Sequence, residues 1–361
     1  MTRRFNSIAL ALTASLQNFG SVPAPEEFLR AQMQLSPGQV TRIQNGKAFA
    51  TILPTSNPSD IFVCGAVYIH AKPAAYLQFM QDMTRRKTVA GYLGAGEFSA
   101  PPTVGDLDGL SLERDDIEDL KNCRPGDCEL QLPEESMEAA RAAIRWNSPD
   151  VAEQVTILAK RGIVRLLKEY HQGGDRALRP YRDKGDPLPL AEQFRSLLSH
   201  VELFPQFLPD LNRYLLQYPN SRPEEAQDLF YWEKVNFGLK PTIRVNHGII
   251  YRTSGPGQVH VLAIKQLYAT HYFQTALDLS FCIPGSKVSG EDGFYLITVK
   301  GSRQAGLTGV KGGLIRKVAV IRTRESLERA LNSIREQLEH RACSGPCGKQ
   351  IGDSGKEAGR V

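Results

Sequence analysis

Downstream of its first segment the chain has no run approaching the roughly 18 consecutive apolar residues of a helical membrane span, so the body of the protein is not expected to cross a bilayer. It has no P-loop, no G-x-S-x-G elbow and no His pair at zinc spacing. GYLGAG, Gly91 to Gly96, lacks the strand-to-helix context that a dinucleotide fingerprint needs. No cofactor and no metal is therefore expected. Excess charge of one sign is also small, at +5 over 361 residues, and the basic residues are scattered rather than gathered in a stripe with interleaved aromatics. Nucleic acid is excluded as the expected partner.

What is present is ordinary globular material, with 41% hydrophobic and 23% charged residues. Acid is locally concentrated: Asp106 to Glu138 holds twelve Asp or Glu against Arg114, Lys121 and Arg124. This reads as a solvated flap or helix face. MTRR, then FNSIALALTASL, then QNFGSVPA has the basic, apolar and small-residue layout of a secretory signal over residues 1–22. That places the mature protein in the periplasm or outside the cell. The alternative is an amphipathic first helix on a cytoplasmic protein.

Six cysteines are present, and NCRPGDC places Cys123 and Cys128 on either side of a Pro-Gly pair. Pro125 then Gly126 is the order of a type II turn, which can bring the flanking residues to disulfide distance in an exported protein. In a cytosolic protein the same pair would be two thiols or half of a metal site. Cys343 and Cys347 lie in a Gly-rich polar tail, residues 341–361, expected to be disordered. Cys64 and Cys282 sit in apolar strand-like runs and read as buried small hydrophobes.

Strands occupy both ends of the chain and helices the middle. GKAFATILPT and SDIFVCGAVYIHA read as two strands separated by Asn57-Pro58, and Ala71 to Met83 turns helical after Pro73. PEESMEAARAAIRW is helical, and so is SPDVAEQVTILAKRGIVRLLKEYHQGG, with Ser148 as N-cap, Pro149 in the first turn and Gly173-Gly174 as the stop. From Pro241 strands return. PTIRVNHGIIYR and QVHVLAIKQLYATHYF form a long hairpin about Gly255-Pro256-Gly257, and GFYLITVKGSR follows. GVKGGLIRK reads as a flexible loop before TRESLERALNSIREQLEHR, a helix with Leu327, Leu331, Ile334 and Leu338 on one side.

The element order resembles the helix-grip fold of the START-like, polyketide-cyclase-like superfamily. CRPGDC, RDKGDPLPLAEQF, FYWEKVNFGLKP and KQLYATHYF are similar to phrases of an uncharacterised bacterial family of exported proteins. The resemblance implies an α+β fold: a curved antiparallel sheet wrapped on a C-terminal helix, forming a single domain over 23–340 with a helical insertion at about 113–235. It also implies a ligand cavity between sheet and C-terminal helix.

A strand alternation puts Lys265 and His271 on one face with Leu267, while Gln266, Tyr268, Thr270 and Tyr272 take the other. Pairing the hairpin about its turn places His247 and Lys265 as diagonal neighbours on that face, with Tyr251. The face either lines the cavity or meets the helical insertion, its histidines then satisfied by backbone or by Glu233. The expected function is non-catalytic binding or transport of a hydrophobic or amphipathic, lipid-like small molecule in an internal cavity, with transient membrane contact. Lys265, His247, Tyr251, His271 and Arg303 are the candidate ligand-binding residues. The alternative is a hydrolase, cyclase or dehydratase using His247 or His271 as base beside Tyr251 or Tyr268.

Overall fold

The computed structural model describes residues 25–86, 91–201, 203–236, 239–254, 257–285 and 293–343. The expected signal segment lies outside the described residues, as does the tail from 344 onward. In chain order the elements are α1 (Pro25–Met33), α2 (Pro37–Gln44), β1 (Phe49–Leu53), β2 (Asp60–Ile69), α3 (Pro73–Gln81), α4 (Met83–Arg86), β3 (Tyr92–Glu97), α5 (Arg114–Asn122), α6 (Glu134–Ala143), α7 (Val151–Gly173), α8 (Leu190–Leu198), α9 (Leu203–Phe207), α10 (Pro209–Gln217), β4 (Gln227–Val235), β5 (Thr242–Arg252), β6 (His260–Ala269), β7 (Phe273–Pro284), β8 (Phe294–Gln304) and α11 (Gly309–Cys343). The fold is α+β. One curved antiparallel sheet of eight strands runs β1-β2-β8-β7-β6-β5-β4-β3, with α11 as the C-terminal helix laid against it.

Strand β2 explains the layering. Its sequence is apolar without alternation because both faces are covered. Ile61, Val63, Val67 and Ile69 face α11, whereas Phe62, Cys64, Ala66 and Tyr68 join a core built with α1, α2, α8, α9 and α10. Gly65 sits under the crossing helix: a Cβ there would lie 2.7 Å from a methyl carbon of Leu331 and 2.9 Å from one of Leu327. The glycine lets α11 ride directly on the strand. Farther across the same face, α3 covers Leu229, Tyr231, Ile250, Leu262 and Ile264. Cys64 and Cys282 are free and buried.

The insertion lies on the opposite face. α7, with Ile163, Val164, Leu167 and Tyr170 buried, packs with Trp232, Ile243, Val245 and Leu267 of the sheet. A disulfide joins Cys123 and Cys128 across a turn in which Arg124 and Asp127 exchange backbone hydrogen bonds of 2.9 Å and Gly126 has φ +87°. A positive φ at the third turn position is what makes Pro-Gly the fitting pair there. Gly126 and Cys128 also donate to the carbonyls of Arg182 and Asp183, so the staple is bonded to the loop before α8.

Several expectations from the sequence are corrected. The chain reverses at Thr270–Tyr272, Tyr272 taking φ +62°, so KQLYATHYF spans a turn and β7 is a separate strand. GYLGAG is edge strand β3, and QDLFYWEKV is β4, so the helices of the insertion end at Gln217 rather than running to 235. GVKGGLIRK forms the first turns of α11 rather than a loop, and the helix continues through 341–343, where the tail was expected to begin. The residue at the N-cap of α7 is Asp150; Ser148 instead donates its hydroxyl to the Asp150 carboxylate.

Candidate functional site

Arg252 pairs with His260, a register that sets His247 directly opposite Lys265 rather than diagonal to it. A bulge between Val245 and Asn246 then leaves Leu267 extra on β6 and brings Tyr268 opposite Val245. Beyond the bulge the alternation slips by one, as bulges require. Tyr268 is thereby moved to the face of Lys265, and both point toward the insertion.

Lys265 is fully buried. Its ammonium pairs with Asp175, donates to the Leu215 carbonyl at 3.2 Å, and lies 4.2 Å from the centre of the Phe194 ring. Burial pushes its pKa down; the Asp175 charge opposes this. The residue ties the turn after α7, the end of α10 and helix α8 to the sheet. Its surroundings are complete without a ligand.

His247 is bonded through both ring nitrogens. Nε2 lies 2.8 Å from Asp228 Oδ1, and Nδ1 lies 3.2 Å from the Tyr170 hydroxyl. With Asp228 ionised, Nε2 donates to the carboxylate and Nδ1 accepts from Tyr170. Tyr214 donates to both oxygens of Asp228, and Arg222 stands 3.7 Å away. Burial raises the Asp228 carboxyl, but the bonds from His247 and Tyr214 and the Arg222 charge outweigh it and hold the group below its ordinary value. Phe230 stacks on the imidazole at 4.4 Å. The partner is Asp228, not Glu233, which lies on the other face of the sheet beside Arg244 at 3.0 Å.

The other candidates lie apart from this pair. His271 follows β6 in the turn, with Nε2 at 3.0 Å from Asp116 and Nδ1 at 3.2 Å from the Glu129 carbonyl. It anchors the acidic segment to the sheet, so Asp116 is buried rather than solvated. Arg303 makes a two-pronged pair with Asp60 at 2.6 and 2.9 Å and reaches Ser196 at 3.3 Å. Tyr251 packs at the margin of the core that contains α9 and α10.

A cavity of about 290 Å³ lies beneath the insertion, between α5, α6, α7 and the β5–β6 end of the sheet. It is not between the sheet and α11, where the interface is closed by Leu327 and Leu331 over Gly65. Its walls are aliphatic, with Leu112, Leu132, Ala140, Val155, Ile163 and Leu267 among them. Of the candidates named from the sequence only Tyr268 lines it, and burial holds that phenol well above its ordinary pKa. Lys265, His247, Tyr251, His271 and Arg303 do not.

The exposed lining residues mark the solvent end: Arg161, Gly162, Arg165 and Arg179 with Glu135, beside the half-buried Glu169. Arg165 and Arg179 each stand 3.8 Å from Glu135, and Arg179 is 3.6 Å from Glu169, while Arg161 makes no ion pair among the described residues. Gly162 also lines the cavity, in the middle of α7, and a Cβ built on it meets nothing within 4 Å. The sequence signal for this chamber is the same glycine, spaced four residues from Leu158 and Leu166 and flanked by Arg161 and Arg165; periodicity alone counts it as part of a core face. Among the described residues no cluster of His, Cys, Asp and Glu could hold a metal ion. No protein-family model matches the chain, and no curated protein sequence matches it.

Proposed function

We propose that the protein binds, without catalysis, a single-chain amphipathic molecule carrying an acidic head, such as a long-chain carboxylic acid. The observation that carries this reading is an aliphatic chamber whose solvent end bears three arginines against two glutamates. A chamber near 290 Å³ sits at the lower edge of the ~300–1,000 Å³ usual for small-molecule sites, which favours one chain over a bulkier lipid. Weak pairing at 3.6 to 3.8 Å leaves the rim guanidiniums able to exchange a glutamate for a carboxylate of the ligand. We further place the chain among exported proteins and as a distant START-like relative; the Cys123–Cys128 disulfide supports an oxidising compartment. The enzymatic alternative has less support, because both ring nitrogens of His247 and of His271 are already bonded within the protein.

The test is native mass spectrometry of the chain purified from its own host, combined with titration of a fluorescent long-chain fatty acid. A bound mass of a few hundred daltons and saturable binding that weakens about tenfold in Arg161→Glu/Arg165→Glu are expected. Protein that carries no adduct and takes up no fatty acid would remove the proposal.

A further inference from the structure

The first turns of α11 carry apolar side chains that no other described element covers. Val310 is 98% and Leu314 67% exposed, and Val318 and Ile321 are exposed as well. Spacings of four, four and three residues put these on one stripe of the helix, while Val320, Leu327 and Leu331 occupy the side that meets the sheet. The stripe is about 18 Å long at the helical rise.

Residues 309–324 contain five Lys or Arg and no Asp or Glu. At 100° per residue Lys317 and Arg324 fall along one border of the stripe, and Lys311 and Arg322 along the other with the exposed Ile315. Lys311, Lys317 and Arg322 make no ion pair among the described residues, whereas Arg324 pairs with Glu325 at 3.3 Å and Arg316 donates to the carbonyls of Pro58 and Asp60. An apolar stripe bordered on both sides by long basic side chains matches an anionic bilayer surface: the stripe enters the acyl boundary and the basic heads reach back to the phosphates.

Contact between two copies is disfavoured, since stacking stripe on stripe would bring basic borders together. We propose that this face of α11 is a docking surface for an anionic lipid membrane. The helix lies in the interface and does not cross it, since no described helix is long and apolar enough to span. The surface is remote from the cavity mouth on α6 and α7, and it stands whether or not the chamber holds an amphipath.

The experiment is co-sedimentation of the full chain with vesicles of phosphatidylglycerol and phosphatidylcholine, against vesicles of phosphatidylcholine alone. Binding to the anionic vesicles that declines with added salt, and little binding to the neutral ones, is expected. Each basic residue at such a surface is worth about fivefold, so Lys311→Gln/Lys317→Gln/Arg322→Gln is expected to weaken binding about a hundredfold. Leu314→Glu/Val318→Glu is expected to abolish it at an unchanged melting temperature. These positions are exposed, so both variants should fold. The proposal is overturned by equal binding of wild type and both variants, by absence of binding to anionic vesicles, or by a concentration-dependent dimer or an acidic protein partner that requires the stripe while vesicles are ignored.

Discussion

Lys265 lies beneath the Phe194 ring with its ammonium paired to Asp175, so a strand cation and a helical insertion are fastened to each other through the sheet's apolar face. That arrangement accounts for a lysine among aliphatic residues without a ligand. Breaking a buried pair by removing one partner costs about 3–5 kcal/mol, whereas replacing both with apolar groups is often neutral.

Lys265→Met is therefore expected to lower unfolding free energy by about 3 kcal/mol, the low end because Asp175 keeps some contact with water. Lys265→Met/Asp175→Leu is expected to recover most of the loss. Urea unfolding of the two variants checks this, and a single variant as stable as wild type would show that the pair does not fasten the insertion.

His247 should give the stability a dependence on acid. Burial pushes its imidazole below the ordinary value, against the pull of Asp228, so the unfolded chain takes up the proton first. Stability is then full above the unfolded value of about 6.5 and is lost as pH falls below it toward the folded value. Asp228, also held low, adds a loss only at lower pH, below about 3.9. His171 and His260 are likewise lowered by burial, so the informative quantity is a difference between proteins. Melting temperatures from pH 8 to pH 5 are expected to decline more gently in His247→Gln than in wild type, from a lower starting point. Parallel declines would show that His247 is not the group responsible.

The sequence made the C-terminal helix, the Pro-Gly staple and helices α3, α6 and α7 legible, because each rests on local signals: periodicity, caps and turn residues; the order of elements then pointed to the α+β class. What it hid depends on pairings between distant segments. Alternation along IKQLYATHY could not reveal the bulge that carries Tyr268 to the other face, since the extra residue exists only relative to β5. The partners Asp175, Asp228 and Asp116 lie 90, 19 and 155 positions from the groups they satisfy. The face of Lys265 was open to two readings, cavity wall or support for the insertion; the register and these carboxylates select the second. Edge strand β3 and its neighbour β4 were missed because β3 is short and glycine-containing, whereas β4 carries Glu233 and Lys234 within its apolar run.

Gly162 offers the sharpest test of the cavity. A glycine inside a 23-residue helix costs about 0.5–1 kcal/mol relative to alanine, and the space above this one is open. Gly162→Ala is expected to raise stability by roughly that amount and leave ligand uptake intact, since one methyl group takes little of the chamber. Gly162→Phe places a ring between Leu158 and Leu166, where the helical spacing directs it along the cavity wall. It is expected to hold wild-type stability within about 1 kcal/mol, because Gly162 is exposed at the cavity mouth and a side chain there displaces no packed atoms. Binding of the fluorescent fatty acid should fall at least tenfold. Comparing unfolding and titration for the two variants separates space from helix propensity. Retention of full binding by a stable Gly162→Phe protein would mean that the ligand does not enter beneath α7, whereas loss of binding in both variants would point to the helix backbone rather than the chamber.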